Sequence, residues 1–366
     1  MKLFLYGDKK LKNFLPLTYL RSFSSLRLGF FKIIDYFKNL FPEFEIFEID
    51  KLPKNLEKGL CLLIRFLPKE RIENLKENFI FKYQNQIVGY YIYDNKKEKK
   101  EKNIDGFLLE NLWDLIKCQK EFLNLWQRPF EKEEFEKEFP FKIFGNKELV
   151  FISKKAKILG EAILNVEKGP ILIAEEVVLK GFNYLEGPCY IDKNTIIDNA
   201  KIRSFTTIGK NCRISGEIEA SIFLDFVNKH HEGFIGHSYI GSWVNLGAYT
   251  TNSDLKNNYS SVKIKIKNKT YDTKMLKFGC VIGDHTKTAI GTLIPTGAVF
   301  GICVNIKKGG PAEKFYPSFY WDKNKKWEFE KLIKTIEIVM ARRGEKLDNK
   351  HIELLRKIYE DKRRLI

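Results

Sequence analysis

The sequence predicts three architectures in one chain: an α/β domain over residues 1–145, an all-β left-handed parallel β-helix over 146–310, and a helical tail over 311–366. Three observations carry this. The first 145 residues mix strand-like alternation with helical spacing. The middle segment repeats its aliphatic residues every six positions. The last segment returns to helical spacing.

The bulk numbers set the frame. With 366 residues, 44% hydrophobic and 30% charged, the chain has enough apolar mass for two or three domains with proper cores. No apolar run approaches a membrane span, and the opening Met1-Lys-Leu-Phe-Leu-Tyr-Gly7 is too short and lacks a small-residue cleavage site for a signal peptide. A cytoplasmic protein is expected, with no membrane partner. Its six cysteines are scattered without a Cys-x-x-Cys pair, which predicts buried thiols and neither a disulfide framework nor a zinc site. The net charge of +17 would attract anions, but its lysines are interleaved with glutamates and no recognition-helix or RNA-binding pattern accompanies them. Phosphorylated small molecules are the expected partners, and nucleic acid is not. The densest charged run, residues 94–103, reads as a solvated loop.

In the first domain, 2–6 and 86–93 read as strands, whereas 26–37 and 107–125 carry apolar residues at helical spacing. From about residue 150 the hexad takes over. Ile196, Ile202, Ile208 and Ile214 form one series, Phe234, Ile240 and Leu246 a second, and Ile282, Thr288, Ile294, Phe300 and Ile306 a third; Ile171 and Val177 open another. A period of six fits neither a helix nor a flat sheet. It fits a three-sided prism in which each face takes one hexad, the aliphatic points inward, and Gly or Asn bends the corner. Phase slips near 181–190 and 217–233 mark loops. The alternation of Val262, Ile264 and Ile266 with Lys263, Lys265 and Lys267 predicts a hairpin insertion at 260–278, turning at Asn268-Lys269. In the tail, 327–343 and 349–364 read as packing helices that cap the solenoid or contact a neighbouring subunit.

Four of the five histidines, His230, His231, His237 and His285, fall in or beside the solenoid. Two chemistries compete for them. A γ-type carbonic anhydrase uses the same prism with three histidines on a metal, but hexad spacing sends His231 and His237 to successive faces, so no metal site is expected. The other chemistry is general base catalysis, for which neutral imidazole suits the removal of a proton from an amine near neutral pH. Asn228-Lys-His-His-Glu-Gly-Phe-Ile-Gly236 puts histidines in a loop just before a hexad, with Asn245 on the following coil. Either His230 or His231 is the base, depending on the loop register.

That segment, continued through Trp243-Val-Asn-Leu-Gly-Ala-Tyr-Thr-Thr-Asn-Ser-Asp-Leu-Lys-Asn-Asn258, resembles the acetyltransferase half of bifunctional N-acetylglucosamine-1-phosphate uridyltransferases. It is similar above all to a divergent GlmU-like group of sugar nucleotidyltransferases. Phe14-Leu-Pro-Leu-Thr-Tyr-Leu-Arg-Ser-Phe-Ser-Ser-Leu-Arg-Leu-Gly29 and Glu337-Ile-Val-Met-Ala-Arg-Arg-Gly344 resemble that group's two ends. The resemblance implies a nucleotidyltransferase-like first domain and an acyltransferase β-helix that uses acetyl-CoA and forms a homotrimer, since the family's acyl sites lie between subunits. It implies His231 as catalytic base, Asn245 as an amino-sugar contact and Arg203 as the phosphate contact. Asp254 lies near the family's acetyl-CoA asparagine, and Ala289 and Lys307 fall on the later coils of the thioester groove. Phe234 stands where the family has a tyrosine and cannot donate a hydrogen bond. The family's substrate lysine has no counterpart near 219–221, and Lys229 is the residue able to replace it.

The first domain departs further. Tyr6-Gly7-Asp8-Lys-Lys-Leu has one glycine where nucleotidyltransferases have a glycine-rich loop, and no Pro-Lys follows. Arg21 and Arg27 remain as candidate phosphate ligands, and Asp8 as a candidate Mg²⁺ ligand if that domain is active. The function expected is N-acetyl transfer to an amino-sugar phosphate such as glucosamine-1-phosphate, with nucleotidyl transfer as a second activity. The alternative is a non-catalytic nucleotide-sugar sensor or assembly scaffold.

Overall fold

The computed structural model describes residues 1–52, 58–94, 98–124, 135, 141–322 and 325–361. The chain divides into two compact units, Met1–Arg27 with Phe31–Cys118, and Leu28–Phe30 with Gln119–Ile366. Among the described residues no helix is long and apolar enough to cross a membrane.

The first unit is built on a mixed sheet of six strands. Lys2–Tyr6 lies between Glu45–Ile49 and Gly59–Leu63, parallel to both. Gly59–Leu63 is buried along its whole length, as its unbroken apolar run requires of a strand covered on both faces. Gln86–Ile92 joins antiparallel and returns to Phe79–Tyr83 through Gln84 and Asn85, both at positive φ as a tight hairpin turn demands. The helical reading of 26–37 is corrected: Arg27–Leu28 and Phe31–Lys32 are short strands around Gly29, whose φ of +60° breaks the helical path, and the helix is Ile33–Leu40. Likewise 107–125 opens with strand Gly106–Leu108, and the helix is Asp114–Asn124; Leu125 lies outside the described residues.

The second unit is the parallel β-helix. One face stacks nine strands, from Val150–Ile152 through Cys189–Ile191, Thr206–Ile208 and Tyr239–Ile240 to Phe315–Tyr316. In-register pairing carries Ile173 onto Ile191, Ile208, Phe223, Ile240, Ile282 and Phe300, a file of side chains buried in one core. Two further faces continue the coils, the second through residues such as Arg213, Asn228 and Asn245, the third through Glu217, Phe234 and Thr251. No coil could bury its aliphatics alone; each inward residue is covered by the coils above and below.

The hexad holds where faces are six residues long and slips where one is five. Ile282, Thr288, Ile294, Phe300 and Ile306 all point inward, as do Ile171 and Val177. In the first series Ile197, not Ile196, is inward, because over the paired stretch this strand is one residue shorter than the one before it, where the register shifts between Lys180 and Tyr184. Ile235, not Phe234, is inward for the same reason of phase. Corners take left-handed φ values, and residues as large as Phe226, Trp243 and His285 adopt them beside the expected asparagines. Stacking is the compensation: Phe226 and Trp243 lie 4.0 Å apart between centroids with planes 7° from parallel, and Trp243 continues onto His285.

The insertion forms the expected hairpin, Lys263–Ile266 with Lys269–Asp272, but turns at Lys267-Asn268, one residue early. Val262 and Ile264 are buried and the lysines face outward. The aromatic stretch after 311 is not tail: Phe315–Tyr316 is the last strand of the first face. The tail helices are Phe329–Ala341 and Asn349–Glu360, the latter capped by the Asp348 carboxylate accepting from His351 N. Residues 362–364 of the predicted second helix lie outside the described residues. Five cysteines are buried and Cys118 is half-buried, all as free thiols.

Candidate functional site

The short strand Asn228–Lys229 on the second face and Phe234–Gly236 on the third are joined by residues 230–233, which form an edge of the prism. Lys229 turns inward there and is only 2% exposed. Its Nζ donates to the carbonyls of Ser215 and His231, each at 2.7 Å. Gly216 makes the room, since a Cβ there would stand 2.7 Å from Nζ. Burial pushes the ammonium down to about 8, with Glu232 acting against it. The expected direct substrate contact is therefore corrected: Lys229 is walled in and ties down the backbone of the loop.

The two neighbouring histidines are not equivalent. His231 is exposed, whereas His230 is half-buried with Nε2 3.6 Å from Asp198 Oδ2. Burial lowers the His230 imidazole against the pull of Asp198, and His231 and Arg213 add to the lowering. Asn245 lies one coil beyond Asn228, which donates to its Oδ1 at 2.8 Å; the file continues to Lys287 and Asn305. This stacking carries Asn245 to the strand that leads into His231.

Further along the third face, Phe234, Asp254 and His237 converge on Gly236. A Cβ on Gly236 would meet Phe234 Cζ at 2.4 Å and Asp254 Oδ2 at 2.6 Å, so only glycine lets ring and carboxylate approach. Asp254 Oδ2 is 2.7 Å from His237 Nδ1. Burial raises the Asp254 carboxyl, but the bond and charge of His237, with Lys277 behind, hold it below the usual carboxylate range. The Asp254 carboxylate is thus engaged by His237, not free for a thioester. The pairing of His237 with Asp254 is the contact that hexad reasoning passed over. Its signal is the seventeen-residue separation, one coil length, shared with Asn228 and Asn245.

Arg203 is exposed at the junction of the third and first faces, between Glu186 Oε2 at 3.5 Å and Glu217 Oε1 at 3.3 Å. Glu217 is in register with Phe234, so this guanidinium reaches the same face through one carboxylate. The two later positions are less suited to their expected role. The Ala289 carbonyl accepts from Thr292 Oγ1 at 2.8 Å, and Lys307 is paired with Asp322 at 2.7 Å across the Trp321 ring. Among the described residues no three His, Cys, Asp or Glu side chains gather as a metal set.

In the first unit, Asp8 is clamped by Arg65, whose Nε and Nη2 donate to its two oxygens at 2.7–3.0 Å. Arg65 is 3% exposed, as is Arg27, and Arg21 donates to the Leu17 carbonyl at 3.5 Å. A carboxylate neutralised by a buried guanidinium does not fit a magnesium ligand, and a buried Arg27 does not fit a phosphate ligand.

No family model matches the chain. It is 32% identical over 155 residues to a bifunctional sugar-1-phosphate nucleotidylyltransferase/acetyltransferase of Sulfurisphaera tokodaii, covering 41% of this chain and 39% of that protein. The Methanocaldococcus jannaschii bifunctional protein GlmU is 32% identical over 104 residues, 28% of this chain and 25% of its own. Over part of its length this chain is similar to GlmU proteins. A third relative, the GlmU of Wigglesworthia glossinidia brevipalpis, is 28% identical over 162 residues, 43% of this chain and 32% of that protein. The chain thus spans well under half the length of each relative, and the likeness is divergent.

Proposed function

We propose that the second unit is an acetyl-CoA-dependent N-acetyltransferase acting on an amino-sugar phosphate. The observation that carries this reading is an exposed imidazole, His231, on a loop whose backbone is tied to a buried ammonium; the strand leading into that loop stacks on Asn245, and Arg203 pairs with Glu217 of the third face. A group that must move a proton needs access to it, and a loop that must place that group needs an anchor. Acetyl-CoA supplies the acyl group as a thioester. The acceptor nitrogen adds to the carbonyl carbon, the C–S bond breaks, and His231 takes the proton that nitrogen loses. Arg203 holds the acceptor phosphate by forked hydrogen bonds and Asn245 orients the sugar. Backbone N–H groups stabilise the oxyanion.

The reading includes a trimer. Tyr249 N donates to Glu232 O and Gly291 N to Ala248 O, so Tyr249 and Ile290 continue the prism edge of the His231 loop; both are strongly exposed, as are Phe182 and Leu159 further along the stack. A column of apolar side chains beside a candidate site suits burial against a second copy. For the first unit, the Asp8–Arg65 clamp favours nucleotide-sugar binding or a packing role over nucleotidyl transfer.

Thiol release from acetyl-CoA with glucosamine-1-phosphate and other amino-sugar phosphates, in wild type and His231→Ala, tests the proposal. Loss of about a hundred-fold or more in the variant is expected. Unchanged turnover overturns the assignment of the base. Binding of a sugar nucleotide without thiol release from any acceptor supports the sensor reading instead.

A further inference from the structure

The hairpin insertion is held against the last coils by its apolar residues, which leaves its lysines to another use. Val262 and Ile264 are fully buried. At Gly297, whose φ is +72°, a Cβ would stand 2.4 Å from the Lys263 carbonyl oxygen, so the strand Lys263–Ile266 lies directly on the turn into Ala298–Phe300. Ala298–Phe300 pairs in turn with Phe315–Tyr316, and Val299 N donates to Lys314 O at 2.8 Å. Between the hairpin and this last strand of the first face lies a cavity of about 500 Å³. Lys265 and Lys267 line it from the hairpin, and Glu313, Lys314, Phe315 and Pro317 line it from the coil. Sites for small ligands commonly run from roughly 300 to 1,000 Å³.

Three ammonium groups and one carboxylate border this space. Burial and the nearby cation Lys256 push the Lys314 ammonium below the ordinary lysine range. Lys256 is itself fixed, donating to Ser260 Oγ at 2.6 Å and to Ser261 O at 3.2 Å. Gathered cations repel one another, and an anion bound among them removes that cost. Lysines on a hairpin edge also discourage pairing with other chains. That purpose does not require a half-buried lysine of the solenoid to share a cavity with them.

We propose that this cavity binds a nucleoside phosphate, with Lys265, Lys267 and Lys314 on the phosphates and Phe315 and Pro317 against the base. Ammonium groups donate to phosphate oxygens in charge-assisted bonds, and an aromatic face suits any base. The Glu313 carboxylate is an acceptor for a sugar hydroxyl. Occupancy of the cavity does not depend on acyl transfer. A free nucleotide and the nucleotide end of a thioester donor carry the same groups, and competition separates them.

Calorimetric titration of the whole chain with ADP, pyrophosphate and adenosine tests this. ADP should bind, pyrophosphate about ten-fold more weakly, and adenosine not measurably. Lys265→Ala and Lys314→Gln should each weaken ADP on the order of ten-fold. Lys263→Ala, on the same hairpin but outside the cavity lining, should keep the affinity within about two-fold of wild type. Phe315→Leu should weaken ADP on the order of ten-fold and leave pyrophosphate unchanged. Lys265 is exposed on the hairpin, so its variant tests the site even where a change at Lys314 unfolds the coil. Failure of wild type to bind ADP overturns the inference, as does equal affinity in wild type and Lys265→Ala. Displacement of ADP by acetyl-CoA assigns the cavity to the donor, and no displacement assigns it to a free nucleotide. Thiol release is not among these measurements, so failure of the acyl-transfer reading is seen separately.

Discussion

The ammonium of Lys229 donates to the carbonyl of His231 at 2.7 Å, so a buried cation and an outward imidazole are joined through one short turn of backbone. Replacing it by Met removes the donor from two carbonyls, those of Ser215 and His231. Lys229→Met should cost about 1–3 kcal/mol of stability, read by denaturant unfolding, and should lower acyl transfer without touching the imidazole. Retention of both stability and rate would show the ammonium to be idle.

The same lysine carries a pH signature. Its folded-state value, about 8, lies below the ordinary 10.5, so the unfolded chain binds more protons between those limits. Stability from this group is present above the unfolded value and lost as pH falls through the folded one. The wild-type advantage over Lys229→Met should therefore grow as pH rises from about 8 toward 10.5. A neutral amine still has two N–H donors for its two carbonyls. Melting temperatures of both proteins across that window check it.

Arg203 is 44% exposed between two carboxylates, and one of them, Glu186, is also paired with Lys168. Arg203→Ala should change stability by less than about 1 kcal/mol. It should raise KM for a phosphate-bearing acceptor on the order of ten-fold or more, with kcat less affected. A dephosphorylated amino sugar should show no such difference between the two proteins.

Asp8→Asn leaves Arg65 with the Leu109 carbonyl and a carboxylate of Glu110 3.9 Å away. Breaking a buried pair in this way should destabilise the first unit by about 3–5 kcal/mol. Magnesium should not raise the melting temperature of the wild-type protein. A clear stabilisation by the ion would restore Asp8 as a ligand.

Ile290, 70% exposed on the edge of the His231 loop, should matter only to assembly. Ile290→Glu should shift the mass measured by light scattering from three chains toward one, with the circular dichroism spectrum kept. A wild-type protein that sediments as a single chain would sink the trimer.

How far these residues could be read in advance follows from the period. A hexad places the inward file of Ile282, Ile294 and Phe300 because each face is six residues long, and it misplaces Ile196 and Phe234 where a face loses one. Outward residues obey a longer interval. His237 meets Asp254, and Asn228 meets Asn245, one coil later; that interval varies with every slip, so pairs are visible only once the coils are stacked. The burial of Lys229 is hidden for another reason. A lysine beside two histidines has the composition of a surface site, and only the gap left by Gly216 lets it turn inward.

Residue types and their six-fold recurrence were enough to specify a parallel β-helix, its hairpin excursion and a histidine-bearing edge, because inward aliphatics at that interval can be buried only by coils laid one on another. Which side chains meet across coils was decided by the tertiary structure. Contacts such as Asp254 with His237 and Asp8 with Arg65 depend on accumulated register and on burial, and neither is a property of any local stretch of chain.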